Sequence, residues 1–236
     1  MTNDNAVHTE EYKGFTIKIL TDDNPDSPRN WDNAGRMVTW HNHYNLGDEQ
    51  PKLNPGDWIK DFCVKNCDVI DSIWDLYNNG ELTEQAAWLI VKQKYIFLPL
   101  FLYDHSGITI STSSFNDRWD SGQIGWIYIS KKDAIKEWGK KLFTKTVEKK
   151  TVEYLQAEVT DYDNYLTGNV YGYIIENSNG ETADSCWGFY PGGDDKMGYE
   201  YCLTEAKSYV DYEVNEAEQK KNEAARIPLA EIAYSE

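Results

Sequence analysis

Basic residues are scarce in this chain. Its 23 lysines and arginines stand against 40 aspartates and glutamates, a formal net charge of −17. A surface of that sign repels free nucleic acid and anionic membrane and attracts basic partners. Long apolar runs are missing as well: the longest, YIFLPLFLY, holds nine residues and a proline, too few to span a bilayer. The opening MTNDNAVHTEEY has no basic start followed by an apolar core, so no secretory signal is predicted and a soluble, cytoplasmic protein is expected. The four cysteines are then expected as thiols rather than bridges. No GxSxG elbow, internal repeat or low-complexity linker occurs.

What is present is a globular composition with an uneven charge. Residues 131–150 carry 8 bases and 3 acids, whereas 151–236 carry 5 bases and 18 acids. Aromatics are abundant, with 9 tryptophans and 17 tyrosines, many beside Asp or Asn as in NWDN, RWDSG and DYDNYL.

Periodicity organises the chain. YKGFTIKIL and MVTWH alternate like strands. From Pro55 a helical stripe of Ile59, Cys63, Cys67, Ile70, Trp74 and Tyr77 predicts one helix ending at NNG, and TEQAAWLIVKQ predicts a second. YIFLPLFLY, ITIST and IGWIYIS read as the buried centre of a sheet. Ser130 with Asp133 resembles a capping box. A long helix with Val152, Leu155, Val159, Tyr162 and Leu166 inward closes at Gly168. NVYGYIIE and TADSCWGFY flank NSNGE as a hairpin. A last helix runs from about Tyr199 to Asn222 with Leu203, Ala206, Val210, Val214 and Ala217 inward. The expected class is α+β: a mainly antiparallel sheet of six to seven strands with four to five helices packed on it. One domain is expected over residues 12–224, between a flexible tail at 1–11 and a C-terminal tail at 225–236.

Asp104-His105-Ser106-Gly107 brings three chemically able side chains together. Neighbours on a chain point in different directions, however, and triad members converge from separate segments. Asp, Ser and Gly are turn residues, so the stretch is expected as the tip of a hairpin. A metal reading joins His41 and His43, two positions apart in WHNHYN, to Asp104 and His105; no cysteine or acid cluster of standard zinc spacing accompanies them. Cys63 and Cys67 fall on an apolar stripe and are expected in the core. Asp117, Arg118 and Asp120 are expected to pin a loop.

The acidic C-terminal third carries the functional expectation. On the last helix Glu205, Glu216 and Glu223 point away from the inner stripe, with Asp211 and Glu218 on its flank. The preceding helix adds Glu153, Glu158, Asp161 and Asp163. Acids three or four positions apart on a helix lie about 5–6 Å from one another. That spacing approaches the separation of phosphates along a nucleic-acid strand.

The segments SPRNWDNAG, HNHYNLGD, LPLFLYDHSGITISTSSF, WDSGQIGWIYIS, YLTGNVYGYIIE and DSCWGFYPG, read together, resemble a family of uncharacterised proteins encoded by bacteriophages and other mobile elements of bacteria. The resemblance covers about Tyr12 to Val210. It carries no catalytic residue or cofactor with it, and implies a small accessory protein in the cytoplasm of a bacterial host.

The expected function is therefore a non-enzymatic, nucleic-acid-mimicking inhibitor of a host nucleic-acid-binding or defence protein, needing no cofactor. Its contact residues would be Asp161, Asp163, Glu205, Asp211, Glu216 and Glu218, set against a basic host surface with no direct nucleic-acid contact and no membrane. The first alternative is a metal-assisted hydrolase or nuclease using His41, His43, Asp104 and His105. The second is a carbohydrate or small-ligand module lined by Asp and Trp.

Overall fold

The computed structural model describes residues 5–117, 119–192 and 195–233, the last nine of these as backbone only. It is an α+β fold whose described elements run β1 (His8–Tyr12), β2 (Phe15–Thr21), β3 (Arg36–Thr39), α1 (Pro55–Asn66), α2 (Asp71–Asn78), α3 (Glu84–Lys94), β4 (Tyr95–Asp104), β5 (Ile108–Ser111), β6 (Ser121–Ser130), α4 (Lys131–Glu137), α5 (Lys145–Thr167), β7 (Tyr171–Glu176), β8 (Thr182–Phe189) and α6 (Glu200–Ala233). The eight strands form two antiparallel four-stranded sheets, not one sheet of six or seven, and the α-helices number six.

The chain also divides into two compact units, Met1–Asp26 with Gly168–Glu236, and Ser27–Thr167, where the sequence suggested one continuous domain over 12–224. Each unit has its own sheet and its own apolar core, and nothing in the composition marks the points where the chain passes between them.

In the first unit the strand order is β1-β2-β7-β8. The supposed tail at 1–11 supplies β1, whose residues pair with β2 from His8↔Ile19 to Tyr12↔Phe15. The connection is Lys13-Gly14, both at positive φ (49° and 85°), the two-residue turn whose twist suits a hairpin. HTEEY carries charge on an edge strand, which blunts edge-to-edge pairing and hides its strand character. Ile17, Ile19, Tyr173 and Ile175 meet Cys202, Ala206 and Val210 of α6 in one buried cluster. The described α6 continues past Asn222 to Ala233, while Ala217, expected inward, is exposed.

In the second unit the order is β3-β6-β4-β5, with helices on both faces of the sheet. Alternate residues of β4 explain the layering. Ile96, Leu100 and Leu102 join Leu155, Val159 and Tyr162 of α5 on one face, whereas Tyr95 and Phe97 join Trp58, Phe62 and Val91 of α1 and α3 on the other. A strand covered on both sides reads as an unbroken apolar run. Pro99 is tolerated because β4 pairs with β6 there, while β5 pairs only with Phe101 to Asp104, leaving the other side of Pro99 without a ladder. Gly125 lets β3 approach, since a Cβ would be driven into the carbonyl oxygen of Val38.

The single helix expected over Pro55–Tyr77 is two. Asp68 takes φ 50° between α1 and α2, and the apolar stripe shifts at the break, so that Ile70 and Trp74 are exposed while Ile73 and Tyr77 pack on the cluster. Among the described residues no helix is long and apolar enough to cross a membrane.

Candidate functional site

The hairpin that opens with Asp104 is a turn first. Ser106 sits at φ 60°, and the His105 N–H donates to the Gly107 carbonyl at 3.0 Å. The His105 ring turns to Asp120, with Nδ1 2.9 Å from Oδ2, and stacks on Tyr103. Asp117 accepts the backbone N–H groups of Trp119 and Asp120, which hold its carboxyl below the ordinary carboxylate range. The acids of this loop pin it, as expected; Arg118 lies outside the described residues.

His41 approaches Asp104 only through Tyr44. The His41 ring stacks on Tyr44 with 5.0 Å between centroids, and the Tyr44 hydroxyl donates to Asp104 at 3.3 Å. The Nδ1 edge of His41 accepts the N–H groups of His43 and Tyr44 at 3.3 and 3.2 Å, so it closes its own turn. Burial, and then the Asp104 charge, push the Tyr44 phenol up, away from any nucleophilic role near neutrality. Among the described residues no three His, Cys, Asp or Glu side chains are grouped to hold a metal ion, and the set His41, His43, Asp104 and His105 is not assembled as one. Cys63 and Cys67 are buried, and burial pushes the Cys67 thiol to about 11, where it is an inert part of the core.

The densest polar arrangement was not visible in the sequence. Ser27 and Pro28 open a single 3-10 turn, Pro28–Asn30, that aims Arg29 inward. Its Nε and Nη2 donate to the two oxygens of Asp48 at 2.9 and 2.6 Å, its Nη1 donates to Glu158 at 3.0 Å, and Nη2 also reaches the Gly35 carbonyl. The other oxygen of Glu158 accepts the Ala34 and Gly35 N–H groups at 2.9 and 3.0 Å, and Asp48 takes the Met37 N–H. Burial works against the Arg29 charge, but its two carboxylates outweigh it and raise the pKa. Burial raises Glu158, with the Gly35 N–H and Arg29 pulling the other way. Glu158, counted among the outward acids, is therefore a buried structural partner. Its position between Leu155 and Tyr162, three and four residues away, marks it as inward-facing.

Beside this network lies a cavity of about 560 Å³ with Trp31, Asp32, Asn33, Arg36, Asp48 and Asp133 in its lining.

The six acids expected to meet a partner are used unequally. In the second unit, Asp163 accepts from the Thr109 hydroxyl and the Ile110 N–H, both at 2.7 Å, and so fastens α5 to β5. Asp161 is half-buried, and burial raises its pKa. In the first unit, Asp211 accepts from Tyr12 at 3.0 Å and pairs with Lys13 at 2.7 Å. Glu216 faces Lys220 at 3.4 Å, while Glu205 and Glu218 stand exposed. On the solvent side of α6, Tyr201 and Tyr212 are 53% and 60% exposed. Eleven residues apart, they lie on one stripe of the helix, about 16 Å apart.

No family model, curated protein or solved structure matches the chain.

Proposed function

We propose that the chain is a non-enzymatic binding protein that presents the outer face of α6 to a basic, nucleic-acid-binding surface of a host protein, in the setting of a phage or mobile-element accessory factor acting against a defence nuclease. The observation that carries this is the pairing of Tyr201 and Tyr212, exposed on one stripe, with exposed acids Glu200, Glu205, Glu218 and Glu223 on the same helix. Lys207 is drawn off to Glu10 and Lys220 to Glu216, leaving the acidic character of this face largely uncompensated. Tyrosine supplies contact area at small entropic cost, and the carboxylates supply steering and register. Asp163 drops out of the contact set because its carboxylate fastens α5 to β5, and Asp161 drops out because it is half-buried.

The test uses the immobilised full chain and a bacterial lysate. Nucleic-acid-binding proteins should be retained at low salt, released at high salt and competed off by duplex DNA. Reversing Glu200, Glu205, Glu218 and Glu223 to Lys should abolish retention, and Tyr201→Ala with Tyr212→Ala should weaken it by about tenfold or more. Equal retention by the reversed chain, or retention indifferent to DNA, rejects the reading.

A second reading, a module for a carbohydrate or small polar ligand, is favoured by the 560 Å³ cavity, where Trp31 stands with Asp32, Asn33 and Asp133. Calorimetric titration with neutral oligosaccharides tests it. Binding lost in Asp133→Ala supports it, and no heat with any of them counts against it.

A further inference from the structure

Helix α3 and strands β4 and β6 enclose a separate groove of about 550 Å³. Its apolar lining is Trp88, Leu89, Phe97, Pro99 and Trp126. The rings do not lie flat. Trp88 meets Trp126 and Phe97 at 5.2 Å between centroids in both cases, at 64° and 87°. Edge-to-face rings form a notch that grips a flat ring by face and edge together, rather than a broad platform for a sugar. The volume is in the range of small-molecule sites, which run to about 300–1,000 Å³.

Charge narrows the ligand further. The remaining lining residues are Lys92 and two glutamines, Gln85 and Gln123, so that among the described residues no carboxylate lines this groove, in a chain with 40 of them. The Lys92 ammonium stands 5.5 Å from the centre of the Trp88 ring. The net negative charge of the chain opposes an anion at long range, but screening over about 8 Å at physiological salt leaves the nearest charges to decide.

We propose that this groove binds a planar aromatic anion, an aryl carboxylate, sulfonate or phosphate, with its ring in the notch of Trp88, Phe97 and Trp126 and its charge against Lys92. Leu89, 69% exposed on α3, covers the ring from the solvent side.

Two dyes that differ only in the charged group test the idea: 1-anilinonaphthalene-8-sulfonate and the neutral N-phenyl-1-naphthylamine, titrated against the full chain by fluorescence. The sulfonate should bind about tenfold tighter or more, the scale of one charge-assisted contact. Lys92→Glu should erase that preference and leave the neutral dye unchanged. Leu89→Asp should weaken both dyes. Leu142→Asp, at a position 73% exposed and outside the groove, should alter neither. The side chains changed are exposed, so the unfolding midpoint should hold in each variant. Equal affinity of the two dyes, tighter binding of the neutral one, or sulfonate binding indifferent to Lys92→Glu would each overturn the proposal.

Discussion

The guanidinium of Arg29 and the carboxylate of Glu158 face each other at 3.0 Å with 7% and 6% of their side-chain surfaces exposed. The pair joins a turn before β3 to a helix that begins more than a hundred residues later, and the Ala34 and Gly35 N–H groups complete it. Removing one partner strands a buried charge. Arg29→Ala should therefore cost about 3–5 kcal/mol, read from the urea midpoint of the Ser27–Thr167 unit. Replacing both residues, Arg29→Met with Glu158→Leu, should cost less than the sum of the two single changes. Additive losses would show that the two side chains act separately.

Asp161 has a different status. Its folded pKa is raised by burial, so the folded state binds a proton more readily than the unfolded one. The penalty is absent below the unfolded value of about 3.9, grows as pH rises through the folded pKa, and is constant above it. Asp161→Asn should consequently melt higher than the wild type at neutral pH, with the gap closing on acidification. A gap that widened as pH fell would reverse the sign of this account.

At the hairpin tip, Ser106 holds a left-handed conformation at φ 60°. Such a conformation costs an L residue about 1–2 kcal/mol, and glycine escapes that cost. Ser106→Gly should be more stable than Ser106→Ala by about 1 kcal/mol in thermal unfolding. Neither change should affect partner capture.

Thiol chemistry gives a fourth check. Of the four cysteines Cys186 is exposed, whereas Cys63, Cys67 and Cys202 are buried, with the Cys202 thiol pushed to about 12 by burial first of all. Titration of the native chain with a chromogenic disulfide near pH 8 should consume one thiol quickly and the other three only in denaturant. Fast reaction of a second thiol would place Cys63, Cys67 or Cys202 nearer the surface.

Sequence periodicity carried much of this fold because burial imposes it. The inner stripe of α5, the closing Gly168 at φ 75°, the Ser130 cap on the Asp133 N–H and the β7–β8 hairpin all answer to short-range rules. The break at Asp68 escaped because apolar residues keep a helical spacing across it, and β1 escaped because its alternation is written in charge. The Arg29 network escaped for another reason. Its partners stand 19 and 129 positions away, and only the place of Glu158 on an inward stripe hints at them. In the same way, an acidic face can be counted from sequence, but which carboxylates are already spoken for, such as Asp163 and Asp211, depends on tertiary neighbours.

The pairing of Ile17 with Ile175 has a consequence for how the chain is made. The β1–β2 hairpin leaves the ribosome before its partners in β7, which follow only after all of Ser27–Thr167 has been translated, an interval of roughly 7–30 s at about 5–20 residues per second. During that time the nascent hairpin must carry Ile17 and Ile19 without a core, while the intervening unit can fold to completion. Lys18 and the glutamates of β1 then act as a shield for an unfinished product, guarding a sheet whose second half has yet to be synthesised.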